Sequence, residues 1–193
     1  MRMNRNDCSK RIVVGISGAS GVIYGLEMLK VLRELGYETH VVLTKMARHN
    51  VLLETDHSLD QVEEKADQVY NEDDLSAPIS SGSFLTKGMV VIPCSIKSLS
   101  GIANSYDANL LVRAADVTLK ERRPLVLVVR ETPLHRGHLE LMLAAASNGA
   151  IILPPMPVFY YKPKTIIDIV HHTVGKVLDC LGIPHQLFQR WQG

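Results

Sequence analysis

The run Arg11-Ile-Val-Val-Gly-Ile-Ser-Gly-Ala-Ser20-Gly21 constrains this chain more than any other stretch. Its branched apolar residues form the near-continuous run of a strand buried on both faces of a parallel sheet. The run passes directly into small residues and then into a helical pattern. Gly18, Ala19 and Gly21 let backbone N–H groups approach an anion at a helix N-terminus, and Ser20 adds a hydroxyl donor. The spacing is not Gly-x-Gly-x-x-Gly. The second strand, Thr39 to Thr44, ends in Thr44-Lys45 and lacks the Asp or Glu that holds an adenosine ribose. A mononucleotide therefore fits better than NAD.

Charge narrows the ligand class further. The 21 basic and 20 acidic residues nearly cancel, so no broad cationic surface points to nucleic acid or membrane, and small-molecule work is expected. With 193 residues, 46% of them hydrophobic, one domain with a substantial core is expected. Cys8, Cys94 and Cys180 are far apart and form no Cys-x-x-Cys pair, which disfavours a disulfide framework and a zinc site and favours a reducing cytoplasm. Residues 1–10 are polar and read as a flexible leader before a domain spanning 11–193. No apolar run approaches the eighteen or so residues of a membrane span.

Strand and helix patterns alternate along the rest of the chain. Val22, Leu26, Leu29, Leu32 and Leu35 recur at helical spacing until Gly36, and Thr39–Thr44 starts a second strand. A helix through Met46–Thr55, a polar stretch with Asn71-Glu-Asp-Asp74 and a hydroxyl-rich loop Ala77–Ser83 lead to the strand Gly88–Pro93. Lys97–Lys120 is helical with a break near Asn104. Pro124–Arg130 is a strand, Leu139–Ser147 a helix, Ala150–Leu153 a strand and Lys164–Leu181 the last helix. This alternation predicts a single-domain, doubly wound, Rossmann-like α/β fold with a mainly parallel sheet. Ligands of such folds sit beyond the carboxyl ends of the strands. That rule gathers Ser17–Gly21, Thr44-Lys45, Cys94-Ser95, Arg130-Glu131 and Pro154–Tyr161 on one rim.

Read together, the motifs resemble one family. Gly18-Ala-Ser-Gly21, Glu54-Thr-Asp56, Ser80-Ser-Gly-Ser83, Pro93-Cys-Ser95, Arg113-Ala-Ala-Asp-Val117, Lys120-Glu-Arg-Arg-Pro-Leu125, Arg130-Glu131 and Gly182-Ile-Pro184 through Arg190-Trp191 are similar to the UbiX flavin prenyltransferases, in the same order over residues 11–191. The resemblance implies an enzyme that joins a dimethylallyl group, supplied as dimethylallyl phosphate, to N5 and C6 of reduced FMN. Prenylated FMN then serves a partner decarboxylase of the UbiD type. It also implies a homo-oligomer, a dodecamer in the family, with flavin sites near subunit interfaces.

Carried over by motif, the FMN contacts fall on Gly18, Ala19 and Ser20, on Thr44, on Ser95, Ile96, Lys97 and Ser98, and on Arg130. The first loop and Thr44 offer donors to phosphate and ribityl oxygens, while the Ser95–Ser98 turn opens a helix beside the isoalloxazine. Dimethylallyl phosphate contacts fall on Tyr160 and Lys176, with Arg113, Lys120 and Ser81 completing the phosphate environment. Cleaving an allylic C–O bond leaves negative charge on phosphate, so fixed cations and hydroxyls aimed there stabilise the transition state. Glu131 and Glu54 are the acid/base candidates, since closing the new ring requires proton removal at C6, and Ser20 and Lys120 complete the catalytic set. The alternative for Glu131 is an ion pair with Arg130 or Lys120, and for Glu54 a helix cap. Asp73-Asp74 lacks a DDxxD pattern, so no metal dependence is expected.

Two positions depart from the family pattern. Lys176 stands where several members have Arg, keeping the charge but losing the bidentate fork. Leu75 stands where some place a Trp. Trp191 reads equally well as a tail anchor, a subunit contact or a pocket residue. His135 and His138 have helical metal-ligand spacing without a third ligand, and His171 and His172, being adjacent, point apart. Two other functions compete. An FMN-dependent cysteine decarboxylase of the related flavoprotein class is disfavoured because this chain has Glu54 near its catalytic His position and Pro93-Cys-Ser-Ile-Lys97 in place of a Pro-Ala-Ser-Ala-Asn-Thr-like motif. A non-catalytic FMN carrier leaves the basic cluster without a purpose.

Overall fold

Near-continuous burial places the strands at the centre of the molecule. In the computed structural model, which describes residues 10–191, six strands are β1 (Arg11–Ile16), β2 (Glu38–Leu43), β3 (Gln68–Tyr70), β4 (Gly88–Cys94), β5 (Leu125–Val129) and β6 (Ile151–Ile152). All pairings are parallel, in the order β3-β2-β1-β4-β5-β6. Every residue of β4 and β5 is buried. Val90 and Ile92 join the core on one face of the sheet, Met89 and Val91 the core on the other. Each such side chain contributes roughly 1.5–3 kcal/mol when fully buried.

Among the described residues seven α-helices accompany the sheet: α1 (Val22–Glu34), α2 (Lys45–Glu54), α3 (Leu59–Glu63), α4 (Ile96–Ala103), α5 (Leu110–Lys120), α6 (Arg136–Ser147) and α7 (Ile166–Cys180). Helices α1 and α7 pack together over the face that holds Ile12, Val14 and Ile16, while α4, α5 and α6 cover the face that holds Val13. This is the doubly wound Rossmann-like fold that the alternation predicts. The break expected near Asn104 is real, since α4 ends at Ala103 and Asn109 caps α5 through its side chain. Sequence periodicity missed α3 and β3, which are five and three residues long and fall inside the stretch read as polar loop. The proposed leader lies, apart from Lys10, outside the described residues.

The strand order changes direction between β1 and β4, and Ser17 fastens that point. It is fully buried, its backbone N–H and its hydroxyl both donate to the Pro93 carbonyl (3.1 and 2.9 Å), and its oxygen accepts from Ser95 N–H at 2.7 Å. The two turns that open the switch point are thus held in one geometry.

Candidate active site at the carboxyl rim

Helices α1, α2 and α4 start on the rim directly after β1, β2 and β4, so three sets of unpaired N–H groups converge there. Two sets are engaged by carboxylates from distant sequence. Glu54 Oε2 accepts from Gly21 N–H at 2.8 Å and Val22 N–H at 3.1 Å, capping α1, whose own N-cap Gly21 has no side chain. The cap expected of Glu54 thus exists, but on α1 and not on its own helix. Glu72 Oε1 accepts from Lys45 N–H at 2.6 Å at the start of α2, and its other oxygen accepts from the Asn109 side chain at 3.1 Å. The sequence carries no sign of this role for Glu72, because it depends on β3 delivering the residue to the rim.

Hydroxyls remain as donors. Thr44 caps α2 by accepting from Ala47 N–H at 3.2 Å, which uses a lone pair and leaves its O–H to donate. Ser95 caps α4, accepting from Ser98 N–H at 3.3 Å and donating to the Ser98 hydroxyl at 3.2 Å. Among the described residues no carboxylate bonds to the first turn of α4. Gly18, Thr44, Ser95, Lys97 and Ser98 line one cleft of about 720 Å³, whose wall also carries Lys45, Glu72, Asp73, Gly101, Asn104, Tyr106, Asn109 and Val112. Gly18 is required by close approach: a Cβ there would lie 2.3 Å from Met46 Cβ.

The other residues expected at the flavin lie on the same rim without lining that cleft. Ala19 is buried and its carbonyl accepts from Asn50 at 3.2 Å, Ser20 is exposed, and Ile96 packs against the core beneath α4. Arg130 N–H donates to the Cys94 carbonyl at 3.0 Å, and its side chain is exposed near Tyr24. Burial raises the Tyr24 pKa above its ordinary value, against the Thr173 hydroxyl and the Arg130 charge. Glu131 is exposed and accepts from Thr132 N–H at 3.0 Å; it pairs with neither Arg130 nor Lys120. Cys94 is fully buried and its thiol is pushed up to about 12 by burial, which excludes a thiolate nucleophile at neutral pH.

The expected donor-phosphate set divides into two groups within one chain. Arg113, Lys120 and Ser81 come together: Arg113 donates to the Ser80 carbonyl at 3.2 Å, and Lys120 pairs with Glu121 beside Gly82. They belong to α5 and the loop before β4, on the face opposite α7. Lys120 ends α5 at the amino edge of β5, away from the carboxyl rim. Arg113 is further committed to Asp107 and Asp116 at 3.0 and 3.2 Å. A single phosphate environment holding all five residues is therefore not formed by one chain.

Tyr160 and Lys176 share the second group with the C-terminal tail. The Tyr160 hydroxyl donates to the Gln189 carbonyl at 3.3 Å, and its ring meets Trp191 edge-on at 5.4 Å. His172, stacked on Tyr161 at 5.5 Å, adds a third wall; burial and then the Lys176 charge push its pKa down. His171 points away to Glu27 at 2.8 Å, as adjacent helical positions must. His135 caps α6 and its ring lies 3.6 Å from that of His138, tilted by 32°, and among the described residues no group of three potential metal ligands converges.

The Flavoprotein family model matches residues 1–181. The chain is 57% identical over 187 residues to the flavin prenyltransferase UbiX of Escherichia coli K12, covering 95% of this chain and 99% of that one. The chain belongs to the UbiX family of flavin prenyltransferases. Solved UbiX proteins share its architecture: AnUbiX (PadA1), described in complex with FMN and dimethylallyl pyrophosphate, superposes with a TM-score of 0.94 at 46% identity, covering 96% of this chain and 98% of that one. A dodecameric FMN-dependent UbiX-like decarboxylase from Escherichia coli O157:H7 gives 0.92 at 50% identity, covering 95% and 100%. Among the described residues of this UbiX-family chain, no helix is long and apolar enough to cross a membrane.

Proposed function

We propose that this chain is a flavin prenyltransferase that joins the dimethylallyl group of dimethylallyl phosphate to N5 and C6 of reduced FMN, making the cofactor of a UbiD-type decarboxylase. The observation that carries the reading is the rim cleft of about 720 Å³, where Gly18, Thr44, Ser95, Lys97 and Ser98 from three separate strand ends converge in a member of the UbiX family. Its donor set fits FMN. The Thr44 hydroxyl and the Gly18–Ser20 turn offer neutral donors to phosphate and ribityl oxygens, and the Ser95–Ser98 turn offers a polar edge to the flavin ring. Reduced FMN, when bound, supplies the nucleophilic N5 and C6. Arg130 and Lys97 set positive charge beside it.

The chain's own residues then divide the work. Lys176 and the Tyr160 hydroxyl receive the negative charge that accumulates on the departing phosphate. Glu131, exposed on the rim, accepts the proton lost from C6. Glu54 fixes the α1 turn that presents Ser20. Assembly into a homododecamer accounts for the division of the phosphate ligands, because Arg113, Lys120 and Ser81 of one subunit complete the site of another. The free thiols of Cys94 and Cys180 support a reducing, cytoplasmic setting.

Anaerobic incubation with reduced FMN and dimethylallyl phosphate, followed by mass spectrometry of the flavin, tests the reading. A prenyl-sized mass increase is expected. Retention of FMN with no mass increase would leave only a flavin carrier.

A further inference from the structure

The carboxylate of Asp179 has more cationic and hydrogen-bonding partners than its single charge neutralises. Arg190 grips it through both terminal nitrogens at 2.7 and 3.1 Å, Lys176 Nζ lies at 3.4 Å, and buried His185 Nε2 lies at 3.1 Å. Lys176 and Arg190 together leave at least one net positive charge, and both side chains are about half exposed (48% and 54%). Arg190 stands beside Trp191, whose ring meets Tyr160, and after Gln189, whose carbonyl holds the Tyr160 hydroxyl. The tail is fastened over α7 by close packing. A Cβ on Gly175 would meet Phe188 at 2.5 Å and His185 at 2.6 Å, so only glycine admits the tail at this depth.

We propose that Arg190 is a second cationic ligand of the donor phosphate, held against Asp179 until the donor arrives and then sharing the phosphate with Lys176 and the Tyr160 hydroxyl. The inference rests on the prenyl-transfer reading above. Lys176 presents a point charge, whereas the planar guanidinium of Arg190 offers two parallel N–H donors matched to two phosphate oxygens. The fork missing from position 176 is thus supplied from the tail. Donor binding and tail order become coupled, since the phosphate competes with Asp179 for the same guanidinium.

The test is Arg190→Gln, with Arg190→Lys beside it, on the full chain loaded with reduced FMN. Steady-state prenyl transfer is measured against dimethylallyl phosphate concentration, and direct donor binding by calorimetry on the chain loaded with oxidised FMN, which does not turn over. For Arg190→Gln we expect KM and the donor Kd to rise roughly ten- to a hundredfold with FMN affinity unchanged, and kcat to fall as well, because the guanidinium also meets the charge that develops on the departing phosphate. Arg190→Lys should recover part of the loss. A cooperative thermal transition near that of the parent establishes folding in both variants. Unchanged donor KM and Kd in folded Arg190→Gln overturn the inference and leave prenyl transfer standing. Donor binding that weakens in Arg190→Gln while the parent makes no prenylated flavin supports the phosphate site and removes the transfer reading.

Discussion

Replacing Asp179 by Asn should destabilise the protein by an amount that depends on pH in a calculable way. Arg190 holds the Asp179 carboxyl down to about 2 from an ordinary 3.8, helped by His185 and Lys176 against the opposing effect of burial. A depression of that size corresponds to about 2 kcal/mol, because one pKa unit is about 1.4 kcal/mol. Solvent reaches the exposed Arg190 and Lys176 partners, and screening leaves about 1 kcal/mol. Because the folded pKa is lowered, the stabilisation is complete above the unfolded pKa near 3.8 and is lost as pH falls toward 2. At pH 7 Asp179→Asn should therefore melt roughly 2–4 °C below the parent. About half the difference should be gone near pH 3. The assay is thermal unfolding followed by circular dichroism between pH 3 and 7 at fixed protein concentration, with FMN omitted. A melting difference that stays constant over that range, or grows as pH falls, refutes the assignment of the stabilisation to an ionised Asp179.

Three other perturbations address the rim and the core. Glu54→Ala removes the acceptor for Gly21 and Val22 N–H groups; a loss of about 1 kcal/mol is expected from the uncapped α1, read as a fall of roughly 2–4 °C in thermal melting, and no change would show that the cap is not needed. Gly18→Ala forces a methyl to within 2.3 Å of Met46 Cβ, so the turn must shift; FMN titration by fluorescence quenching should show at least about tenfold weaker binding, and parental affinity would exclude this turn from the flavin site. Cys94, buried with its thiol near 12, should resist iodoacetamide in the folded protein at pH 8 and react on unfolding, whereas half-buried Cys180 reacts before Cys94. Peptide mapping reads the order, and early labelling of Cys94 would contradict its burial.

The elements that were legible in sequence are those whose burial imposes a long or uninterrupted pattern. β1, β4 and β5 are buried along nearly all their length, and α1, α5 and α7 carry apolar positions at helical spacing over eleven residues or more. α3 and β3 were illegible because five and three residues complete no readable period, and β3 is placed by pairing with β2. Rim residues could be anticipated because parallel strands must deliver their carboxyl ends to one edge. What caps each helix there could not, since Glu54 is 33 residues from Gly21 and Glu72 is 27 from Lys45.

By itself the sequence determined the class of fold, the mononucleotide turn and the strand ends that carry polar groups, because periodicity and local turn chemistry are short-range properties of the chain. Only tertiary structure decided how the charges are shared. It placed Arg113, Lys120 and Ser81 on one face of the sheet and Lys176 on the other, and it brought Arg190 back onto Asp179, 11 residues earlier. Electrostatic partnership is set by distance in space, and a helix followed by a returning tail brings together groups whose spacing along the chain carries no sign of it.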